Sequence, residues 1–176
     1  ADEEAHREPG KAFIPANNVL LNQLVSLNQV FINFAQEKNP SKVATLDQDA
    51  PLCETYKATA LYSYKKFKAY QPFNTYWYEQ GLIIHSEFRD GNVPAGFEQK
   101  RLLEASLDSL PAGVNEVYLR SDSAGYQQDL LTYCAEGHNE RFGVIKFAIA
   151  APVNSAFKTA VLEVPEEDWH LSLIHI

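Results

Sequence analysis

Residues 114–136 read VNEVYLRSDSAGYQQDLLTYCAE. The segment 114–120 is β-rich, and 124–136 carries Leu130, Leu131 and Cys134 on one side of a helix, with Gly137 as its stop. Between them lies Ser121-Asp122-Ser123, a turn with an acid at the strand exit. A strand that passes through a short acidic turn into a helix is a building unit of α/β sheets.

The pattern extends outward from this unit. Downstream, FGVIKFAIA at 142–150 reads as a further strand, nearly all apolar and therefore expected inside the sheet. Upstream, Phe97, Leu102, Leu103, Leu107 and Leu110 predict a helix over 95–110, ended by Pro111 and Gly113. GLIIHSEF at 81–88 predicts a strand that ends in the turn Arg89-Asp90-Gly91-Asn92. Alternation over 59–67 predicts another strand, and 43–49 a first one, apolar at its start and acidic at its exit. Before them, Val19, Leu20, Leu24, Leu27, Phe31 and Phe34 recur at helical spacing, giving an amphipathic helix that stops near Asn39-Pro40.

The predicted order is helix, then β-β-β-α-β-α-β. This is an α/β chain with a mixed five-stranded sheet and flanking helices. Right-handed crossovers place the fourth strand beside the first and parallel to it. Three segments follow: a lead-in and N-terminal helix over 1–40, a core over 41–160, and an acidic stretch with a doubtful tail over 161–176.

The chain has 176 residues, 45% of them hydrophobic, which suffices for one domain with a core. No run approaches the roughly 20 apolar residues of a membrane helix, so no membrane partner is expected. Cys53 and Cys134 lack metal-ligand spacing and read as reduced thiols of a cytoplasmic protein. The chain contains no methionine, and its last six residues, LSLIHI, resemble the translation of a sequencing adaptor. A piece of a longer frame, incomplete at its C-terminus, is the expectation.

The formal charge of −8 argues against nucleic acid until it is located. Residues 1–10 hold four acids and one base, and 161–170 hold four acids and no base, so the ends contribute −7. Between Glu54 and Glu79 there is no acid, while Lys57, Lys65, Lys66 and Lys68 lie there among nine of the 21 aromatics. Such interleaving suits phosphates and stacked bases; it equally suits a strand pair with aromatics on one face and solvated lysines on the other.

Carboxylates are the remaining candidates. The first strand exits at Asp47-Gln48-Asp49 and the fourth at Asp122. On neighbouring parallel strands these acids would lie close, which is unfavourable unless a cation bridges them. Oxygen ligands of this kind suit Mg2+ or Mn2+. The competing reading has Asp47 and Asp49 opening a turn and Asp122 capping a helix.

Four stretches, in order, carry a resemblance: TLDQDAPL at 45–52, ALYSYKKFKAYQPFNTYW at 60–77, GLIIHSEFRDGNVPAG at 81–96 and VYLRSDSAGYQQDLLTYC at 117–134. Together they resemble the DDE transposases of bacterial insertion sequences, in the branch whose first motif reads Asp-x-Asp-small-Thr. The resemblance spans roughly residues 18–170. It implies a ribonuclease-H-like fold and Mg2+-dependent DNA strand cleavage and joining at transposon ends by three carboxylates. By the same resemblance Asp49 matches the first acid and Asp122 the second, the two holding a pair of metal ions. Pro51 stands where the family has threonine, and Asp47 is the alternative to Asp49. The family's third acid, a glutamate in a Tyr-Arg-Glu-Lys type motif, has no match among Glu163, Glu166 and Glu167.

The resemblance further implies that Lys57, Lys65, Lys66 and Lys68 track DNA backbone and that Arg89 contacts a phosphate. The implied partners are transposon-end and target DNA, with a homodimer of the intact protein. The fragment itself is expected to be inactive. Two other readings stand beside it: a decayed remnant that only folds, and another ribonuclease-H-like nuclease. His85 is expected to pack at the sheet, and Arg120 to pair with a carboxylate.

Overall fold

A computed structural model describes residues 14–169; the start of the lead-in and residues 170–176, with the LSLIHI tail, lie outside the described residues. The first element is helix α1, Val19–Lys38. Asn18 opens it, its Oδ1 accepting the Leu21 N–H at 2.9 Å, and Asn39-Pro40 closes it as expected. Strand β1 is Val43–Asp49, followed by two short strands, β2 at Cys53–Glu54 and β3 at Ala69–Tyr70. Then come β4, Phe73–Trp77, and β5, Leu82–Glu87. Helix α2, Gln99–Asp108, leads to β6, Glu116–Ser121; a 3-10 turn at Ser123–Gly125 leads to α3, Gln128–Ala135. Strand β7, Lys146–Ile149, helix α4, Ser155–Leu162, and a 3-10 turn at Glu166–Asp168 complete the described chain.

The protein is thus α/β, with four helices among the described residues and a five-stranded mixed sheet in the order β5-β4-β1-β6-β7. The strands β1, β6 and β7 run parallel, and β4 is antiparallel to both β1 and β5. The expected parallel neighbours are present: Val43 pairs with Glu116, and the register runs without a slip to Gln48 opposite Ser121. No described helix is long and apolar enough to cross a membrane.

Alternation along the strands puts the core on one face. Ala44 and Leu46 of β1, Val117 and Leu119 of β6 and Trp77 of β4 are buried together with Ile32, Leu103, Leu107, Leu130 and Tyr133 from α1, α2 and α3. A strand's side chains alternate, so Thr45, Asp47, Tyr118 and Arg120 belong to the opposite face. That face is polar and aromatic, and none of these three helices covers it.

Two expectations are corrected, and the setting of α1 is new. The second strand does not lie at 59–67. There Lys66 takes a left-handed φ of 66°, and Phe67 O accepts the Ser63 N–H at 2.8 Å, folding the segment into a tight turn. The strand is Phe73–Trp77, where Phe73, Thr75 and Trp77 alternate inward. The run at 142–150 forms an edge strand rather than an interior one, since β7 pairs with β6 alone, and Gly143, at φ 61°, breaks extension before the paired Lys146–Ile149. The apolar stripe of α1 faces away from the core. Phe31 and Phe34 are each 56% exposed, and Ile32 is the one buried residue of the helix. Polar ties hold α1 instead: Asn28 Nδ2 donates to Ile83 O at 3.1 Å and Gln29 Nε2 to Ser109 O at 3.0 Å.

The turn after β5 anchors the long connection between β1 and β4. Asp90 is buried, and its Oδ1 accepts the N–H groups of Leu61 and Gly91, both at 2.9 Å. Gly91 lies so close to Ala69 that an added Cβ would overlap the Ala69 carbonyl. Replacing Gly91 by alanine is therefore expected to cost about 1–3 kcal/mol by forcing two backbones apart; the midpoint of urea unfolding measures it.

Candidate functional site

The C-terminal ends of β1, β5, β6 and β7 lie along one edge of the sheet. At this edge the parallel register ends with Gln48 opposite Ser121, and the next residues are Asp49 and Asp122. Two residues earlier, Asp47 and Arg120 are paired across the same strands. The two-residue period places Asp49 on the face of that pair, and Asp122 follows the last residue of β6 with extended backbone. Both aspartates are exposed. The Oδ1 of Asp49 accepts the Ala50 N–H at 2.8 Å, and the Oδ1 of Asp122 accepts the Ala124 N–H at 2.9 Å. Each Oδ2 is left without a hydrogen bond among the described residues.

The two readings of Asp122 are therefore compatible. It caps the 3-10 turn with one oxygen and directly follows Ser121, which ends β6 opposite Gln48 of β1. Asp47 is differently engaged. Its carboxylate takes a two-pronged bond from Arg120, at 2.5 Å from Nε and 2.7 Å from Nη2, and the guanidinium lies 4.9 Å from the centre of the Tyr78 ring. That pairing bears out the expectation for Arg120 and engages both oxygens of Asp47, which Asp49 does not share.

A buried amide network lies under the acids. Gln99, at the start of α2, donates from Nε2 to Gln48 Oε1 at 3.2 Å and to Ser121 Oγ at 2.9 Å. Gln48 donates in turn to Thr75 Oγ1 at 3.3 Å, and Ser106 Oγ donates to the same Thr75 oxygen at 2.8 Å. Gln99 thus holds the two residues that immediately precede the two aspartates. The turn around Asp122 is clamped from the same side. Gln127 Nε2 donates to Gly96 O and Ala124 O, both at 2.7 Å, and a Cβ on Gly125 would come within 2.7 Å of Ser121 Oγ. The sequence signal for this network is glutamine at a position where the β1 alternation Ala44, Leu46 demands an apolar residue.

Arg89 is corrected. It is wholly buried and cannot reach a phosphate. Its Nε donates to Glu87 Oε1 at 2.9 Å and its Nη2 to Phe97 O at 2.7 Å, with the guanidinium 5.0 Å from the Phe73 ring centre. Burial lowers its pKa below the ordinary guanidinium range, and the bond to Glu87 opposes that. Arg89 joins the end of β5 to the segment that enters α2.

The lysines stay at the surface. Lys57, Lys65 and Lys66 are exposed, and Lys68 is half-buried with its Nζ on Ala58 O at 2.7 Å. All four belong to the connection that leaves β1 at Asp49 and returns through β4. His85 is half-buried in β5, and burial lowers its pKa. Cys134 is buried, its thiol pushed up to about 11 by that burial, so it is not poised as a nucleophile.

The exposed carboxylates of Asp49 and Asp122 are hard oxygen donors of the type Mg2+ or Mn2+ takes. No group of three or more His, Cys, Asp or Glu among the described residues could hold a metal. No family model matches the chain, and no match was found among curated proteins or solved structures.

Gln99→Ala removes the amide that joins the two strand ends and leaves Gln48 Oε1 buried with one donor fewer. A loss of about 1–3 kcal/mol in urea unfolding is expected, with faster hydrogen exchange at Ser121 than at Val117 deeper in the same strand.

Proposed function

We propose that this chain is a central piece of a DDE-type transposase with a ribonuclease-H-like core, a fold with which the observed sheet order is compatible. Its chemistry would be metal-dependent cleavage and joining of DNA strands. One observation supports the reading: the parallel register of β1 and β6 ends at Gln48 opposite Ser121, so Asp49, the last residue of β1, and Asp122, the first residue after β6, follow neighbouring strand ends. An open α/β sheet binds its ligands at such carboxyl ends.

In this reading Asp49 and Asp122 hold Mg2+ or Mn2+, which when bound supplies charge for in-line displacement at a phosphodiester. The residues of the chain do the rest. Gln99 keeps the strand ends at fixed spacing from below, and Gln127 fixes the turn that aims Asp122. Arg120, by neutralising Asp47, keeps a third negative charge from adding to the repulsion between the two acids. The lysines of the β1–β4 connection attract the DNA backbone toward this edge. With two carboxylates alone the metal is held weakly, so the piece binds without cleaving.

Calorimetric titration with Mn2+ tests the reading. Binding is expected in the range of about 10⁻⁴–10⁻³ M, the weak end for carboxylate sites. Asp49→Asn and Asp122→Asn should each weaken it about tenfold or more, a loss of roughly 1.4 kcal/mol, while Asp47→Asn should leave it within about twofold. No nicking of supercoiled plasmid is expected. Equal binding by all three variants, or nicking by the wild-type chain, contradicts the proposal.

A further inference from the structure

The β1–β4 connection carries more than positive charge. Tyr56 is 94% exposed, Tyr62 64% and Tyr64 73%. These are large rings standing in water within nine positions of one another. Ser63, between the last two, is buried, while Tyr62 and Tyr64 both stand out into solvent. Each has a cation beside it: Lys68 Nζ lies 5.9 Å from the Tyr62 ring centre and Lys65 Nζ 5.8 Å from that of Tyr64. Lys57 stands in the same relation to Tyr70, at 5.9 Å.

The platform is built rather than loose. The Tyr62–Lys68 bridge, the β2–β3 pair and the bond from Thr55 N–H to Lys68 O at 3.0 Å close the connection on itself. Asp90 and Gly91 fasten it to the body from below. Glu54 is the one acid of the connection and none follows it before Glu79, so the four lysines leave the connection positive.

Tracking a duplex by its phosphates requires lysines and leaves exposed tyrosines without a task. Unpaired bases require both, a cation for the backbone and a ring face for each base. We propose that this connection binds unpaired DNA, holding a frayed or single-stranded stretch beside Asp49 with bases stacked on Tyr62 and Tyr64. The choice of DNA as the nucleic acid rests on the transposase reading; the preference for unpaired bases rests on the rings.

Fluorescence anisotropy with a labelled single strand of about 15 nucleotides, and with its duplex, tests this directly. The single strand should bind at least about tenfold more tightly. Combined Tyr62→Ala and Tyr64→Ala should lower single-strand affinity by about tenfold or more and leave duplex affinity within about twofold. Both rings are surface-exposed, so the variant should keep the wild-type melting temperature, and a thermal melt checks this. Lys65→Ala with Lys66→Ala should weaken both ligands and flatten the salt dependence. Equal or tighter duplex binding, no binding of either DNA, or indifference to loss of the tyrosines overturns the proposal. An equivalent RNA strand bound more tightly than the DNA overturns the assignment to DNA. The Mn2+ titration is separate: loss of metal binding at Asp49 and Asp122 with single-strand binding intact defeats the transposase reading alone.

Discussion

The pairing of β1 with β6 is the constraint on which the candidate site depends. Residues more than 70 positions apart in sequence become neighbours because six successive pairs, Val43–Glu116 through Gln48–Ser121, lie in parallel register. A slip of one residue would turn Leu46 and Leu119 toward water and send every acid to the wrong face. Burial of those leucines therefore enforces the arrangement of the aspartates, although neither aspartate takes part in the core. The Gln99 amide adds a directional lock where the leucines no longer reach. Hydrogen bonds at 3.2 and 2.9 Å specify spacing, while apolar burial specifies only which side faces inward.

Polar work is distributed asymmetrically about the sheet. The face against α1, α2 and α3 is apolar except for the Gln48–Thr75–Gln99–Ser106 cluster, which sits toward the edge that carries the acids. The opposite face holds the Asp47–Arg120 pair and the Tyr78 ring stacked on it. An exposed pair of this kind contributes little to stability, of the order of 0–1 kcal/mol. Its consequence is electrostatic: one of three closely placed carboxylates is compensated. The Arg89-Asp90-Gly91 turn works on the same edge from another direction, with a buried guanidinium, a buried carboxylate and a glycine at close approach.

Much of this architecture was readable beforehand, and the failures have physical causes. The parallel neighbours followed from strand order and crossover handedness, and the helix stop at Asn39-Pro40 from the steric rule at proline. The strand expected at 59–67 failed because aromatic β-propensity reports a fit to a pleated surface, not a backbone preference. Lys66 in the left-handed region defeats extension there. Arg89 resembled a surface turn residue in sequence; its burial depends on Glu87, Phe97 and Phe73, contacts that no local pattern reveals. Gln99 was missed for the same reason, since its partners lie 51 and 22 positions away. The outward stripe of α1 shows that helical periodicity identifies an apolar side without saying what it meets.

The central claim is that two strand ends make one cation site, and paramagnetic broadening measures that most directly. A ¹⁵N-labelled chain would be titrated with substoichiometric Mn2+ while backbone amide signals are followed. The account predicts that Ala50, after Asp49, and Ser123, after Asp122, lose intensity together at the same concentration, with Gly81 at the far end of the sheet unaffected. Broadening at one aspartate without the other, or over the whole surface alike, would contradict it.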